Sequence, residues 1–291
     1  MALSQPARNA YVWMIFASIS VGYVSIIVKK VGMSSVTLVS GRCLIASLAL
    51  FAFAKARHKK ALDKMRIRQT VIAGLLLAAH WTTFFLALRF TTVAIALVSL
   101  FTFPSMMALA EPLSQKERPS IRQLFAALLI VAGVGLLAEW RNPSPGVLAG
   151  IAVALLSALL FTVRNLITKS LMRSEDSMVV MAWQTMIASV VLAPLIPFYE
   201  HDFAGMQSLA WLVLLGIVFT ALPHTLRIYS MKHLPVATID IISAIAVPAS
   251  ALLAWAHLNE MPTLRTIAGA ALVLSAIIVE SLDKLTRTSS P

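Results

Sequence analysis

Glu117-Arg-Pro-Ser-Ile-Arg122 and Glu260-Met-Pro-Thr-Leu-Arg265 stand 143 residues apart and share one pattern: a glutamate, a proline two residues later, a small hydroxyl residue, an aliphatic residue and an arginine. Each opens an apolar run. Outward from them, at nearly the same lag, Arg42-Cys-Leu-Ile-Ala-Ser47 aligns with Gln184-Thr-Met-Ile-Ala-Ser189, His80 with His224, and Pro104 with Pro248. The lag drifts by only one or two residues, so the chain reads as two copies of one unit, residues 1–142 and 143–291.

Composition says what the unit is made of. Of 291 residues, 59% are hydrophobic and 12% charged, against about 25% charged in an average soluble domain. Mean hydropathy is +0.86. Apolar runs punctuated by charge or by Pro and Gly fall at 10–28, 34–54, 70–89, 92–111, 121–138, 146–168, 177–198, 207–229, 236–257 and 263–282. A membrane-spanning helix takes about 20 apolar residues, so the expected fold is an all-α polytopic membrane protein of ten transmembrane helices. That excludes a soluble enzyme, a disordered chain and a disulfide scaffold, and leaves no room for a folded domain outside the membrane. The single cysteine, Cys43, lies inside an apolar run and reads as packing. The first run ends in Lys29-Lys30 with no small-residue cleavage pattern, so it reads as a retained helix.

The net charge of +12 is topological. With the N-terminus inside, seventeen Lys and Arg fall on the inner side, five on the outer side, and Arg42 and Arg164 within helices. Cytoplasmic loops carry such an excess, so both termini are expected in the cytoplasm of a bacterial-type cell with the chain in its inner membrane. The acidic loop Glu200-His201-Asp202 falls outside, and Lys29-Lys30 run against the bias. The basic stretch from Lys55 to Arg68 suits anionic lipid and not nucleic acid. Five helices per copy is an odd number, so the second copy enters the membrane from the opposite side. Inverted repeats of this kind build alternating-access carriers, with the substrate site between the halves at mid-membrane.

The motifs resemble the EamA-type family of the drug/metabolite transporter superfamily along nearly the whole chain. The resemblance rests on Ser40-Gly41-Arg42, on Ala87-Leu88-Arg89-Phe90-Thr91-Thr92-Val93-Ala94 leading to Pro104, on the repeated Glu-x-Pro, and on His80-Trp81 followed by Phe84-Phe85. It implies a ten-helix carrier of small metabolites, often amino acids or drugs moving outward. Two departures stand out: Gln184 replaces the arginine in the second half, and the turn Lys232-His-Leu-Pro235 is more basic than its counterpart.

Ionisable groups inside a membrane helix cost about 2.5–3.5 kcal/mol on insertion scales and are functional candidates by default. Arg42 is a candidate receptor for a substrate carboxylate or a tie to a neighbouring helix's carbonyls. His80 is a donor or titrating group, or a neutral interhelical bond. Trp81 and Phe84, three residues apart, share a helix face and, with Trp183, Gln184 and Tyr23, complete the expected binding set. Ordinary packing is the alternative for the aromatics. Arg164 is expected in the inner vestibule or at the headgroups. His224, Arg227 and Asp240 are possible coupling or vestibule groups, Arg227 and Asp240 as an ion pair. Glu111 is expected at the interface, as are Trp13, Trp140 and Trp211. Pro104 and Pro248 interrupt helices at equivalent places, which makes them candidate gating kinks or static ones.

No zinc-protease, Walker, prenyl-diphosphate or nucleophile-elbow motif occurs. The six His are scattered without metal-ligand spacing. The expected protein is no enzyme, carries no metal or cofactor, and works as a monomer or homodimer. It exports small metabolites, above all amino acids. A drug or cationic-compound exporter is the alternative, and a polytopic membrane enzyme or lipid-handling protein a more remote one.

Overall fold

The structure is a computed structural model that describes residues 5–60, 62–114, 119–137, 144–198, 205–230, 233–234 and 236–288. Its helices are α1 (Gln5–Val31), α2 (Ser35–Ala56), α3 (Ile67–Phe90), α4 (Val93–Leu100), α5 (Phe103–Ser114), α6 (Ile121–Leu137), α7 (Pro145–Leu171), α8 (Ser177–Leu192), α9 (Met206–Gly216), α10 (Leu222–Ser230), α11 (Val236–Ala244), α12 (Ala246–Leu258) and α13 (Leu264–Thr288). No strand occurs among the described residues. Eight helical stretches there are long and apolar enough to cross a membrane, while Ile121–Leu137 and Leu264–Val279 are apolar but shorter.

Backbone groups in a bilayer must be satisfied within the chain, which is why these runs are helical. Local chemistry sets the ends. Ser34 caps α2 by accepting from the Thr37 N–H at 3.1 Å, and Thr92 caps α4 through the Ile95 N–H at 3.3 Å. Asp176 caps α8 through the Met178 N–H at 2.9 Å. Such caps satisfy donors that a helix start leaves open.

Three of the expected runs are interrupted. The run at 92–111 breaks at Phe101-Thr102 into α4 and α5, with Pro104 the second residue of α5. The run at 236–257 breaks at Ile245 into α11 and α12, with Pro248 in the first turn of α12. A proline lacks the N–H and clashes with the preceding turn, so the helix restarts around it. The run at 207–229 passes through a π-helical segment, Ile217–Ala221, just before Pro223. At the C-terminus, α13 continues to Thr288, although a loose tail is expected from Asp283. The expected division at 142/143, Glu117, Trp140, Arg141, the Glu200–Asp202 loop, Lys232 and Pro235 lie outside the described residues, and the Glu111 side chain is likewise not described.

The closest-packed helix pairs are α3 with α7, α2 with α8, and α6 with α13, each joining the first half of the chain to the second. Small residues permit this closeness. A Cβ on Gly74 of α3 would stand 2.7 Å from Ile187 Cβ of α8, and one on Gly216 would stand 2.9 Å from the Arg42 carbonyl. Gly133 of α6 and Gly269 of α13 touch backbone to backbone. Cys43 is fully buried. Long apolar side chains such as Ile121, Leu128, Val131 and Leu252 face outward, as a lipid-facing surface requires.

Candidate functional site

A cavity lies among α1, α2, α3, α7, α10 and the three interrupted stretches. Its wall includes Ser18, Arg42, His80, Trp81, Phe84, Phe85, Phe161, His224, Arg227 and Ser243. The volume is about 90 Å³, below the roughly 300–1,000 Å³ of pockets for drug-sized ligands. Leu100, Phe101 and Phe103 bring the α4–α5 break to its wall, Phe219 and Pro223 the π-helical segment, and Ser243 and Ala246 the α11–α12 break. All three irregularities therefore meet at one place, where non-helical backbone can be tolerated because it borders a cavity.

Arg42 is 2% exposed. Its Cζ lies 3.9 Å above the Trp81 ring centre and 4.7 Å from that of Phe85. Each such contact contributes about 0.5–2 kcal/mol. Its buried Nε has no hydrogen-bond partner. A guanidinium held by two aromatic faces, with a free donor beside a cavity, is arranged to receive an oxyanion.

His80 bonds to Ser157 on α7. The Ser157 hydroxyl donates to the His80 carbonyl at 2.8 Å, and His80 Nδ1 lies 3.0 Å from the Ser157 carbonyl, which can only accept. Nδ1 therefore carries the proton and Nε2 is left as an acceptor. The ring stacks on Phe161 at 4.5 Å. His224, half-buried, meets Trp81 edge-on at 5.0 Å. Arg227 lines the same wall. It donates to Ser243 Oγ, lies 3.7 Å from Asp240, and keeps a buried Nε without a partner. It therefore belongs to the cavity and not to the inner loop charges with which the sequence count groups it.

Other expected site residues lie elsewhere. Gln184, the repeat counterpart of Arg42, is fully buried behind the wall. Its Oε1 accepts from Arg164 Nε at 3.0 Å and from a terminal Arg164 nitrogen at 2.6 Å, and its amide donates to Thr168 at 3.2 Å. Arg164 is 4% exposed and fixed by these bonds, turned toward Gln184 and not toward open solvent. Trp183 is 41% exposed and packs edge-on against Phe51, away from the cavity. Tyr23 is 37% exposed and reaches the wall only by stacking on Phe219 at 6.0 Å. Pro104 and Pro248 lie just behind the wall at the two breaks.

Sequence reasoning missed Phe101, Phe103, Phe161, Phe219 and Ser243. A signal existed for most of them. Phe101 and Phe103 flank the break before Pro104, Phe219 precedes Pro223 by one turn, and Phe161 lies one turn before Arg164 on α7.

Comparison with known proteins bears on this arrangement. The profile of the EamA-like transporter family matches residues 8–138 and 148–282. An uncharacterized transporter of Archaeoglobus fulgidus is 24% identical over 268 residues, covering 91% of this chain and 94% of that protein. An uncharacterized inner membrane transporter of Salmonella typhimurium, YicL, is 26% identical over 277 residues, covering 90% of each. A solved crystal structure superposes with a TM-score of 0.67 at 17% identity, over 98% of this chain and 100% of that one, a likeness of fold.

Proposed function

The chain belongs to the EamA-like transporter family, and from that premise we propose that it is a secondary carrier that exports small metabolites, above all amino acids or related compounds, by alternating access. The carrying observation is the unpartnered Arg42 Nε beside a cavity bordered by interrupted helices. Arg42, seated on Trp81 and Phe85, receives the substrate carboxylate. The ammonium end has acceptors nearby. Pro104 and Pro248 cannot donate to the carbonyls of Leu100 and Ala244, four residues earlier, and these residues end α4 and α11. Helix C-terminal ends carry partial negative charge, which suits a cation. Aromatic walls from Trp81, Phe84, Phe85 and Phe161 accept the apolar remainder. A purely cationic compound is disfavoured, because Arg42 and Arg227 both line the wall while Asp240 already faces Arg227.

In this reading the two halves, divided near 142/143, have opposite orientations in an inner membrane, with both termini cytoplasmic. His80 and His224 contact the substrate from the two halves, and Arg227 with Asp240 forms the coupling or vestibule group. Gln184 and Arg164 act from behind the wall as positioning residues for α7 and α8. Trp183 and Tyr23 act through Phe51 and Phe219, which they contact. The carrier works as a monomer or homodimer.

The test is counterflow in proteoliposomes preloaded with a panel of amino acids, without an ion gradient. Transient accumulation of labelled substrate of one class is the expected result, and no accumulation across the panel would overturn the amino-acid reading. Pro104→Ala and Pro248→Ala are expected to slow exchange by about tenfold while changing half-saturation far less, because straightened helices resist bending at the site. Exchange at the parent rate in both variants would remove the gating role.

A further inference from the structure

The end of the bundle opposite the termini carries a contact that the transport reading does not use. Lys29 Nζ lies 2.5 Å from Glu260 Oε1 and donates to the Thr91 carbonyl at 2.7 Å. The other oxygen of Glu260 accepts from the Val93 N–H, the first residue of α4, at 2.8 Å. One carboxylate from the second half thus binds both the end of α1 and the start of α4 in the first half. A carboxylate at a helix N-terminus is favoured by the helix dipole. The backbone is shaped to deliver it. Asn259 ends α12 in the left-handed conformation (φ 56°), and the Glu260 N–H turns back onto the Ala254 carbonyl at 3.3 Å. The Lys29 and Glu260 side chains are each 20% exposed.

The packing around this contact is lopsided. Both the α4–α5 and the α11–α12 stretches break beside an equivalent proline, so α4 corresponds to α11 and α5 to α12. At the Lys29 end α4 packs on α12. The corresponding partnership at the other end joins α5 to α11. Among the described residues α5 packs instead on α6 and α7, and no comparable packing joins it to α11. Among the described residues, one end is closed by a helix pair whose counterpart at the other end has no comparable contact.

We propose that Lys29 and Glu260 are the gating residues of this carrier: their contact, with Thr91 and Val93, latches the cavity shut toward the Lys29 end and must break for the site to open there. The proposal rests on the carrier reading for its purpose, but not for its test. It also accounts for a lysine that runs against the charge bias of the loops, since Lys29 is held by a carboxylate and a carbonyl.

The reporter is Ala17→Cys, in the cavity wall, with Cys43→Ser removing the native thiol. Labelling by a membrane-impermeant maleimide is timed from each face, in right-side-out and inverted vesicles. Glu260→Gln and Lys29→Met are each expected to raise the labelling rate from the Lys29 face about tenfold, as a shift of population toward the state open there. Lys29→Arg, which keeps the pair, is expected to stay protected. An unchanged rate from the Lys29 face in both Glu260→Gln and Lys29→Met overturns the latch, as does a parent already labelled equally from both faces. Counterflow is run on the same vesicles. Faster labelling without counterflow in the parent would uphold the latch and remove the amino-acid reading, whereas counterflow with unchanged labelling would do the reverse.

Discussion

Arg42→Ala is expected to abolish transport of a carboxylate substrate in liposomes while the protein still inserts and purifies as a folded species. A hydrogen bond to a charged group is worth about 1.5–3 kcal/mol, so losing the guanidinium weakens carboxylate binding by about 10- to 150-fold. Arg42→Lys is expected to fall between the two. It retains the charge, but it loses the planar fork and its fit between the Trp81 and Phe85 faces. Two readings of Arg42 separate here. A helix-tying arginine would leave carbonyls unpaired when removed, and the protein would lose thermal stability. Arg42 instead holds a buried, unpartnered Nε, so its removal relieves a desolvated cation. The lost contacts with Trp81 and Phe85 work the other way, so the expected outcome is lost binding with substrate-free stability little changed. A wild-type transport rate in Arg42→Ala would refute the contact.

Gly269→Val is expected to be the most damaging substitution away from the cavity. A Cβ at Gly269 would stand 2.6 Å from the Gly133 carbonyl oxygen and 2.9 Å from a Leu137 methyl. Backbone cannot step aside as a flexible side chain can, so α6 and α13 must separate along the contact. Overpacking of this kind costs about 1–3 kcal/mol or more. The same chain supplies a control. A Cβ on Gly135, two residues from Gly133 on α6, would meet nothing within 4 Å. Gly135→Val is therefore expected to change stability by less than about 0.5 kcal/mol. Thermal unfolding of the two variants in detergent decides it, and equal losses would show that the α6–α13 contact does not govern stability.

These residues also show what the sequence alone conveys. The membrane fold was readable because burial in lipid demands long apolar runs, and the repeat because both halves keep their Glu-x-Pro and proline positions. Trp81 and Phe84 were readable as neighbours because residues three apart share a helix face. Trp183 and Tyr23 were expected in the binding set yet lie outside the cavity wall, since hydropathy assigns an apolar residue to the membrane without telling a cavity wall from a lipid face. Gln184 aligned with Arg42 in the repeat, yet its partner Arg164 comes from the preceding helix, a pairing that no local pattern encodes. The break before Pro104 followed from the missing N–H. The π-helical segment ahead of Pro223 is a different answer to the same defect.

The close packing of α3 on α7 and of α2 on α8 has a consequence for biosynthesis. His80 is bonded to Ser157, 77 residues further along the chain. At about 5–20 residues per second, that partner leaves the ribosome some 4–15 s after His80 does. During that interval the nascent first half lies in the bilayer with His80 and Arg42 unsheltered by α7 and α8. The two halves thus mature together, and a ribosome stalled before α7 leaves in the membrane a fragment with exposed polar groups for quality-control proteases to recognise.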